Sequence, residues 1–260
     1  MEHRFPSKGL QLAAHLARPP ARADATAVPA VVLAHGYPSS IGSAASAAHT
    51  MPELADRIAS EMGWMALAVA FRGCDESEGD FSLAGWRDDL LAGVDHLSAM
   101  PEVSAVWVAG FGTGGALAVI AGAQDRRVRG VAALAAPADF DDWASHPRRL
   151  LEHSRRVGLI SDRSHPADFD AWAAELKALR AVAAAPRLAP RSLLVAHGSE
   201  DDLVPVFDAR VLADAHGQAE LRIINGAGHT LRHDPRAVAM LLGWLARQLN
   251  RPSGREVPLP

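Results

Sequence analysis

The sequence predicts an α/β protein with a mostly parallel, doubly wound sheet. Short, continuous apolar runs, several of them ending in glycine, alternate along the chain with longer stretches of helical periodicity. A continuous apolar run is typical of a parallel strand that is buried on both faces. Regular alternation of strand and helix predicts right-handed crossovers, which place helices on both faces of one sheet. A chain of 260 residues is long enough for a single large core.

The predicted elements follow one another in a regular order. An amphipathic stretch at 10–17 and a linker rich in Pro and Ala precede the first strand. Strands are predicted over 30–34, 64–71, 106–110, 128–135, 192–196 and 219–224. Helices are predicted over 51–62, 83–99, 113–123, 206–215 and 235–249. Ligands of such a sheet bind at the carboxyl ends of its strands, so the loops after the strands are the place to seek a site.

The interval 137–190 interrupts this alternation. It is polar, contains Trp143 and Trp172, and has helical stretches near 148–157 and 169–184. We therefore predict a single domain over 1–260, with 137–190 inserted as a small helical lid.

Composition narrows the classes of partner. The net charge is -4, which gives no positive field that would attract nucleic acid or an anionic membrane. We therefore expect a small-molecule partner, no nucleic-acid partner and no membrane partner, whereas the oligomeric state stays open. The run 110–115 does not fit the GxGxxG spacing of dinucleotide-binding loops, and we predict no cofactor.

Two features of the sequence indicate the cellular compartment of the protein. The single cysteine, Cys74, excludes an internal disulfide and fits a reducing environment. The sequence begins without the apolar region of a signal peptide and contains no apolar run long enough to cross a membrane. These features predict a cytoplasmic protein.

Five short motifs follow the predicted strands in a characteristic order. They are His35-Gly36, Arg72-Gly73 with Ser77-Glu78-Gly79, the glycine-rich turn from Gly110 to Gly114, Gly198-Ser-Glu-Asp201 with Pro205, and Gly226-Ala-Gly-His229. This order, with a turn between strand and helix followed by an acid and then a histidine, resembles the α/β-hydrolase family over nearly the whole chain. The chain is similar in particular to small intracellular esterases and acyl hydrolases.

The resemblance implies a role for each motif. It makes Asp201 the acid that orients an imidazole, and it makes His229 the general base. The backbone N–H groups of Tyr37 and Thr113 would form the oxyanion hole, because they follow the His-Gly motif and the apex of the turn. The resemblance also implies that His35, Gly36 and Phe111 line the pocket.

Gly112 departs from the family pattern. The resemblance places the nucleophile at position 112, where the family has Ser, Asp or Cys, and glycine has no side chain that attacks a substrate. We consider Thr113 and Cys74 as substitutes. Thr113 follows the apex and should point away from His229, and Cys74 is more typical of a small buried thiol. The chain is therefore not expected to be a conventional serine esterase.

Three interpretations of Gly112 follow. The first is a protein that binds a small molecule or a partner at a retained site. The second is an enzyme that hydrolyses an ester or related acyl bond with water activated by His229, or a lyase-like enzyme that transfers a proton directly. The third is an engineered inactivation of an ordinary serine esterase.

The remaining polar residues have plainer interpretations. His35 and His197 precede glycines at strand ends and are expected to pack locally. His229 and His233 lack a third ligand at suitable spacing, so we predict no metal site. Asp139, Asp141 and Asp142 are expected to be solvated or to cap helices, the alternative being that they bind a cationic ligand at the mouth of the pocket.

Overall fold

The computed structural model describes residues 2–20 and 27–249, and within these ranges eight strands form one sheet. In chain order the strands are β1 (Glu2–Ser7), β2 (Leu10–Ala17), β3 (Val28–Ala34), β4 (Met65–Val69), β5 (Val103–Phe111), β6 (Val128–Leu134), β7 (Ser192–Gly198) and β8 (Glu220–Ile224). Their spatial order is β1-β2-β4-β3-β5-β6-β7-β8. Strands β3 to β8 are mutually parallel, while β2 runs antiparallel to both β1 and β4.

The nine helices of the described residues connect or cover these strands. They are α1 (Met51–Met62), α2 (Leu83–Ser98), α3 (Thr113–Gln124), α4 (Asp141–Ser145), α5 (Pro147–Val157), α6 (Phe169–Ala178), α7 (Ala181–Leu188), α8 (Val206–His216) and α9 (Pro235–Leu249). Short 3₁₀ turns lie at Ser43–Ser46 and Leu231–His233. The predicted fold class is confirmed, and each of the six predicted strands is present with small shifts of its ends.

The sheet separates two buried apolar layers. Along β3, Ala30, Val32 and Ala34 belong to one layer, whereas Val31 and Leu33 belong to the other. The first layer includes buried side chains of α2, α3 and α8, and the second those of α1 and α9. Successive side chains of a strand point to opposite faces, so continuous apolar runs are required where helices cover both faces.

The hairpin of β1 and β2 was not predicted. Phe5 and Ser7 of β1 are buried while their neighbours are exposed, so the strand alternates as a half-buried edge strand does. Pro6 obscures this pattern in the sequence, although an edge strand tolerates a residue without an N–H donor. The amphipathic stretch at 10–17 is the second strand of this hairpin.

The interval 137–190 is helical, as predicted, and contains α4 to α7. The helix predicted over 169–184 is divided in two, because Leu179 and Arg180 both take extended backbone conformations. Trp172 of α6 and Leu188 of α7 are buried in the same apolar layer as α2 and α3. The single-domain organisation with an inserted lid stays a prediction.

Candidate active site

The chain turns sharply between β5 and α3, and Gly112 is at the apex of this turn. Its backbone has φ 54° and ψ −125°, a combination that a residue with a Cβ rarely adopts. The Gly112 N–H donates to the carbonyl of Leu134 at 2.8 Å, and its own carbonyl accepts from Gly115 N–H at 2.9 Å. These bonds fix the apex between the neighbouring strand and the first turn of the helix.

Glycines on either side of the apex allow strand and helix to approach closely. A Cβ on Gly110 would lie 2.2 Å from the carbonyl oxygen of Gly114. A Cβ on Gly114 would lie 2.3 Å from the carbonyl oxygen of His35. Both distances are too short for any side chain, so the glycine-rich pattern reflects the close packing of this turn.

His229 and Asp201 form a pair beside the apex. His229 Nδ1 lies 2.9 Å from Asp201 Oδ2, and the Asp201 side chain is fully buried whereas that of His229 is 25% exposed. On the other side of the imidazole ring, Nε2 would lie 3.4 Å from a Cβ placed on Gly112. The imidazole therefore connects a buried carboxylate to the apex, as the motif order implied. Asp202, the adjacent carboxylate, does not take part in this pair.

A second histidine contacts the same carboxylate. His197 Nε2 lies 3.2 Å from Asp201 Oδ2 and 3.0 Å from the carbonyl oxygen of Val204, and the His197 side chain is fully buried. The N–H groups of Leu203 and Val204 donate to Asp201 Oδ1 at 3.0 and 2.9 Å. Asp201 thus accepts hydrogen bonds on both oxygens.

These contacts determine the charge of Asp201. Burial alone raises the pKa of a carboxyl group, but hydrogen bonds from His197, His229 and the Val204 N–H outweigh it and hold the pKa of Asp201 well below its usual range. Asp201 is therefore an anion at neutral pH. The contact of His197 with Asp201 was not predicted, and the position of His197, four residues before the acid, is the signal in the sequence that indicates it.

His35 holds the loop that leads to Tyr37. Its Nδ1–H donates to the carbonyl of Gly36 at 2.8 Å, and its Nε2 accepts the N–H of Phe71 at 3.2 Å. Burial lowers the pKa of His35 to about 4, so the ring is neutral at physiological pH and keeps this donor and acceptor arrangement. These contacts confirm the expected local packing of His35. Its side chain is fully buried and, unlike Gly36 and Phe111, lines neither of the two cavities beside His229, so the resemblance placed it in the pocket wrongly.

The two predicted oxyanion-hole donors lie at the apex and at this loop. Across the loops and turns of the described residues, no backbone hydrogen bond is donated by the N–H of Tyr37 or of Thr113. The loop of Tyr37 passes close to the apex, since a Cβ on Gly36 would lie 3.2 Å from the carbonyl oxygen of Phe111. Their function as an oxyanion hole stays a prediction.

Two cavities adjoin the pair. One, of about 310 Å³, is lined by Thr113, Trp143 and Asp208 among others, and the other, of about 220 Å³, is lined by Gly112, Phe111 and Arg232 among others. Tyr37, Ser39, Leu203 and His229 line both. A larger groove of about 980 Å³ lies along the β1–β2 hairpin and contains none of the predicted site residues.

The other candidate site residues lie away from the His229–Asp201 pair or are held by local contacts. Cys74 is fully buried, and burial raises the pKa of its thiol well above the usual range, as expected of an inert thiol. His233 Nε2 accepts from Arg232 Nε at 3.1 Å. Trp172 is buried and donates to the carbonyl of Phe81. Asp139 and Asp141 both pair with Arg180.

In residues 2–20 and 27–249, no group of three or more His, Cys, Asp or Glu side chains is placed to hold a metal ion. No helix within them is long and apolar enough to cross a membrane.

Known proteins resemble the chain in sequence profile and in structure. The profile of the prolyl oligopeptidase family, peptidase S9, matches residues 55–252, which include Gly112, Asp201 and His229. No curated protein matches the chain.

Several solved structures share its fold. Est1E from Butyrivibrio proteoclasticus has a TM-score of 0.73 and 18% identity, with 96% of this chain and 99% of that chain covered. The Pyrococcus furiosus esterase Pf2001 has a TM-score of 0.67 and 19% identity, with 98% and 93% covered. The esterase domain of a Rhodothermus marinus protein has a TM-score of 0.66 and 21% identity, with 96% and 98% covered. At these identities the likeness concerns the fold alone.

Proposed function

Since this chain has the α/β-hydrolase fold and belongs to the prolyl oligopeptidase family, we propose that it binds a small carbonyl compound at the Gly112 site without covalent catalysis. The observation that carries the proposal is an intact His229–Asp201 pair whose free Nε2 faces an apex without a side chain. Covalent acyl transfer needs a nucleophile at that point, within hydrogen-bond reach of the base.

No neighbouring group replaces the missing nucleophile. Cys74 is fully buried with a raised pKa, so it supplies little thiolate. Thr113 is the first residue of α3, and the side-chain hydrogen bonds of His229 within the described residues go to Asp201 and not to the Thr113 hydroxyl. A hydroxyl without a base is a weak nucleophile.

The remaining groups are suited to hold a carbonyl compound. The N–H groups of Tyr37 and Thr113 have no backbone acceptor in the described loops and would donate to a carbonyl oxygen. His35 and the close contact of Gly36 with Phe111 keep the Tyr37 loop against the apex. Preformed donors of this kind lose little entropy when a ligand binds.

The same pair also supports a second candidate function, slow hydrolysis by general-base catalysis. A water molecule beside Gly112 would give a proton to His229 Nε2 while its oxygen bonds to the substrate carbonyl carbon. The leaving group would then take that proton as its bond to the carbon breaks. Asp201 would stabilise the imidazolium formed in between, since it is buried and ionised.

A fluorophosphonate probe tests for covalent catalysis. We expect the intact mass of the protein to stay unchanged after incubation with the probe. Gly112→Ser should gain one adduct, because a Cβ at position 112 lies 3.4 Å from His229 Nε2 and its hydroxyl would be within reach of that base. Gly112→Ala is the matched control and should remain unlabelled. A stoichiometric adduct on the unaltered protein, at any residue, would refute the proposal.

Turnover of p-nitrophenyl acetate separates the two candidates. Binding alone predicts the same rate for the unaltered protein and for His229→Ala. General-base hydrolysis predicts a rate that falls to background in His229→Ala and shows no initial burst. A burst equal to the enzyme concentration would indicate an acyl intermediate and would contradict both.

A further inference from the structure

We propose that the Gly112 site selects a short monocarboxylate that also has a ketone carbonyl, with the carboxylate bound by Arg232 in the smaller of the two cavities. The inference rests on the proposed function, because it names the ligand class of the same site. It starts from a guanidinium group that has no acidic partner.

Arg232 is half-buried, and only part of its hydrogen-bonding capacity is used. Its Nε donates to His233 Nε2 at 3.1 Å, whereas Nη1 and Nη2 make no hydrogen bond within the described residues. The nearest acid along the chain, Asp234, pairs instead with Arg236 at 2.7 Å. Burial lowers the pKa of Arg232, and no described carboxylate offsets this effect. Since buried charges are normally paired, the two Nη groups are available to an anion.

The smaller cavity, of about 220 Å³, has the chemistry of a carboxylate site. Arg232 lines it, and no Asp or Glu is among the described residues that do so. Ser39, Ser40 and Thr230 line the same cavity and have hydroxyl groups that can donate hydrogen bonds. A guanidinium binds a carboxylate through two parallel hydrogen bonds, and neighbouring hydroxyls can donate to the remaining lone pairs.

The same cavity extends to the apex of the turn. Gly112, Tyr37 and His229 line it together with Arg232. The charge of Arg232 contributes to the lowered pKa of His35, which holds the Tyr37 loop, so the guanidinium lies near that loop. A short ligand bound to Arg232 can then place a carbonyl oxygen beside the predicted oxyanion donors. The ligand therefore needs a carboxylate and a carbonyl that are only a few bonds apart.

The lid places positive charge beside Tyr37. His153 of α5 stacks on the Tyr37 ring, with the ring centroids 5.8 Å apart. Burial lowers the pKa of His153, and the charges of Arg156 and Arg149 lower it further. These two arginines are exposed and lie on the same helix as His153. Their field next to the cavity attracts an anionic ligand, independently of Arg232.

The larger cavity limits the ligand to one negative charge. His229 lines both cavities, and four aspartates line the larger one, whereas no described Lys or Arg does. Asp208 shows the repulsion there, because burial raises its pKa and the negative charges of Asp139 and Asp142 raise it further. A second carboxylate on the ligand would meet the same repulsion.

Titration with 4-oxopentanoate, followed by the NMR signals of the ligand, tests the inference. Three matched probes change one feature each: the methyl ester lacks the charge, pentanoate lacks the ketone, and 4-oxoheptanedioate adds a second carboxylate. We expect 4-oxopentanoate to bind about tenfold more tightly than any of the three. Equal or tighter binding of any one of them, or no binding of 4-oxopentanoate, would overturn the inference.

Variants assign the preference for the acid over its ester to Arg232. Arg232→Gln should remove the preference, and Arg232→Lys should keep part of it, because lysine keeps the charge and loses the paired donors. Arg222→Gln is the matched control, since Arg222 is exposed and pairs with Glu220, and it should leave the preference unchanged.

Urea unfolding shows which Arg232 variants are folded. An unchanged preference in folded Arg232→Gln would refute the assignment. If that variant does not fold, Arg232→Lys provides the test, and an unchanged preference there would refute the assignment equally.

The outcome is distinguishable from failure of the proposed function. Fluorophosphonate labelling of the unaltered protein would refute non-covalent function and leave the preference for the acid as it is. Equal binding of the acid and its ester without labelling would refute the carboxylate site alone.

Discussion

The backbone at Gly112 has φ +54°, a conformation in which a Cβ is strained whatever the surrounding space. Gly112→Ala should therefore lower the free energy of unfolding by about 1–3 kcal/mol. The cost comes from the backbone, because the added Cβ would be 3.4 Å from His229 Nε2, which is an ordinary contact distance. Urea unfolding at neutral pH measures the change. A variant more stable than the unaltered protein would show that the apex is not strained.

Asp201 predicts a pH dependence of stability. Its pKa is depressed in the folded state, so its contribution is present above the unfolded value of about 3.9 and is lost as the pH falls through the folded value. Asp201→Asn should therefore destabilise the protein at pH 7, and the difference should shrink as the pH falls below about 4. Urea midpoints of both proteins across this range provide the test. A difference that is constant with pH would show that the charge of Asp201 is not the source.

Residues of the candidate site were predictable to different degrees. The pairing of His229 with Asp201 was predictable, because each follows a strand and the ends of parallel strands meet at one edge. The contact of His197 with Asp201 was not, since it depends on the loop after β7 turning back over the strand end. Arg232 was overlooked because only the folded structure shows a half-buried guanidinium without a carboxylate.

At the scale of elements, the parallel strands were predictable and the antiparallel edge was not. Strands β3 and β4 are short apolar runs, and β7 contains one, because helices cover both faces of the sheet. Their length and the glycines that follow them distinguish these runs from helices. Strands β1 and β2 have fewer buried positions, and the turn that joins them at Lys8 and Gly9 has no common hairpin sequence.

The junction of β5 with α3 predicts a position-specific effect of adding one methyl group. Gly114→Ala should lower the free energy of unfolding by about 1–3 kcal/mol, because its Cβ would meet the backbone carbonyl of His35 at 2.3 Å. Gly243→Ala, inside α9, is the matched control. Its Cβ would meet only the end of the Arg247 side chain at 3.6 Å, and stability should rise by about 0.4–1 kcal/mol. Urea unfolding of both variants makes the comparison, and equal effects would contradict the close packing of the junction.

For the whole molecule, the net charge of -4 says little about the charge at the candidate site. It predicts no positive field that would attract nucleic acid, and it hides the opposite charges of the two cavities that His229 lines. Charge distribution inside a cleft depends on which loops meet there. The resemblance to the α/β-hydrolase family, which rested on the order of the motifs along the chain, is confirmed.

The lid and the sheet are expected to unfold together. Leu188 of α7 is fully buried in the layer that also contains α2 and α3, and α7 packs on α3. Leu188→Ala should therefore lower the stability of the whole protein by about 2–5 kcal/mol. The loss should be seen equally in far-UV circular dichroism and in hydrogen exchange of the α9 backbone, which contains Trp244 and lies in the opposite layer. If 137–190 were a separate unit, cleavage by a protease within it would increase while hydrogen exchange in α9 stayed as in the unaltered protein.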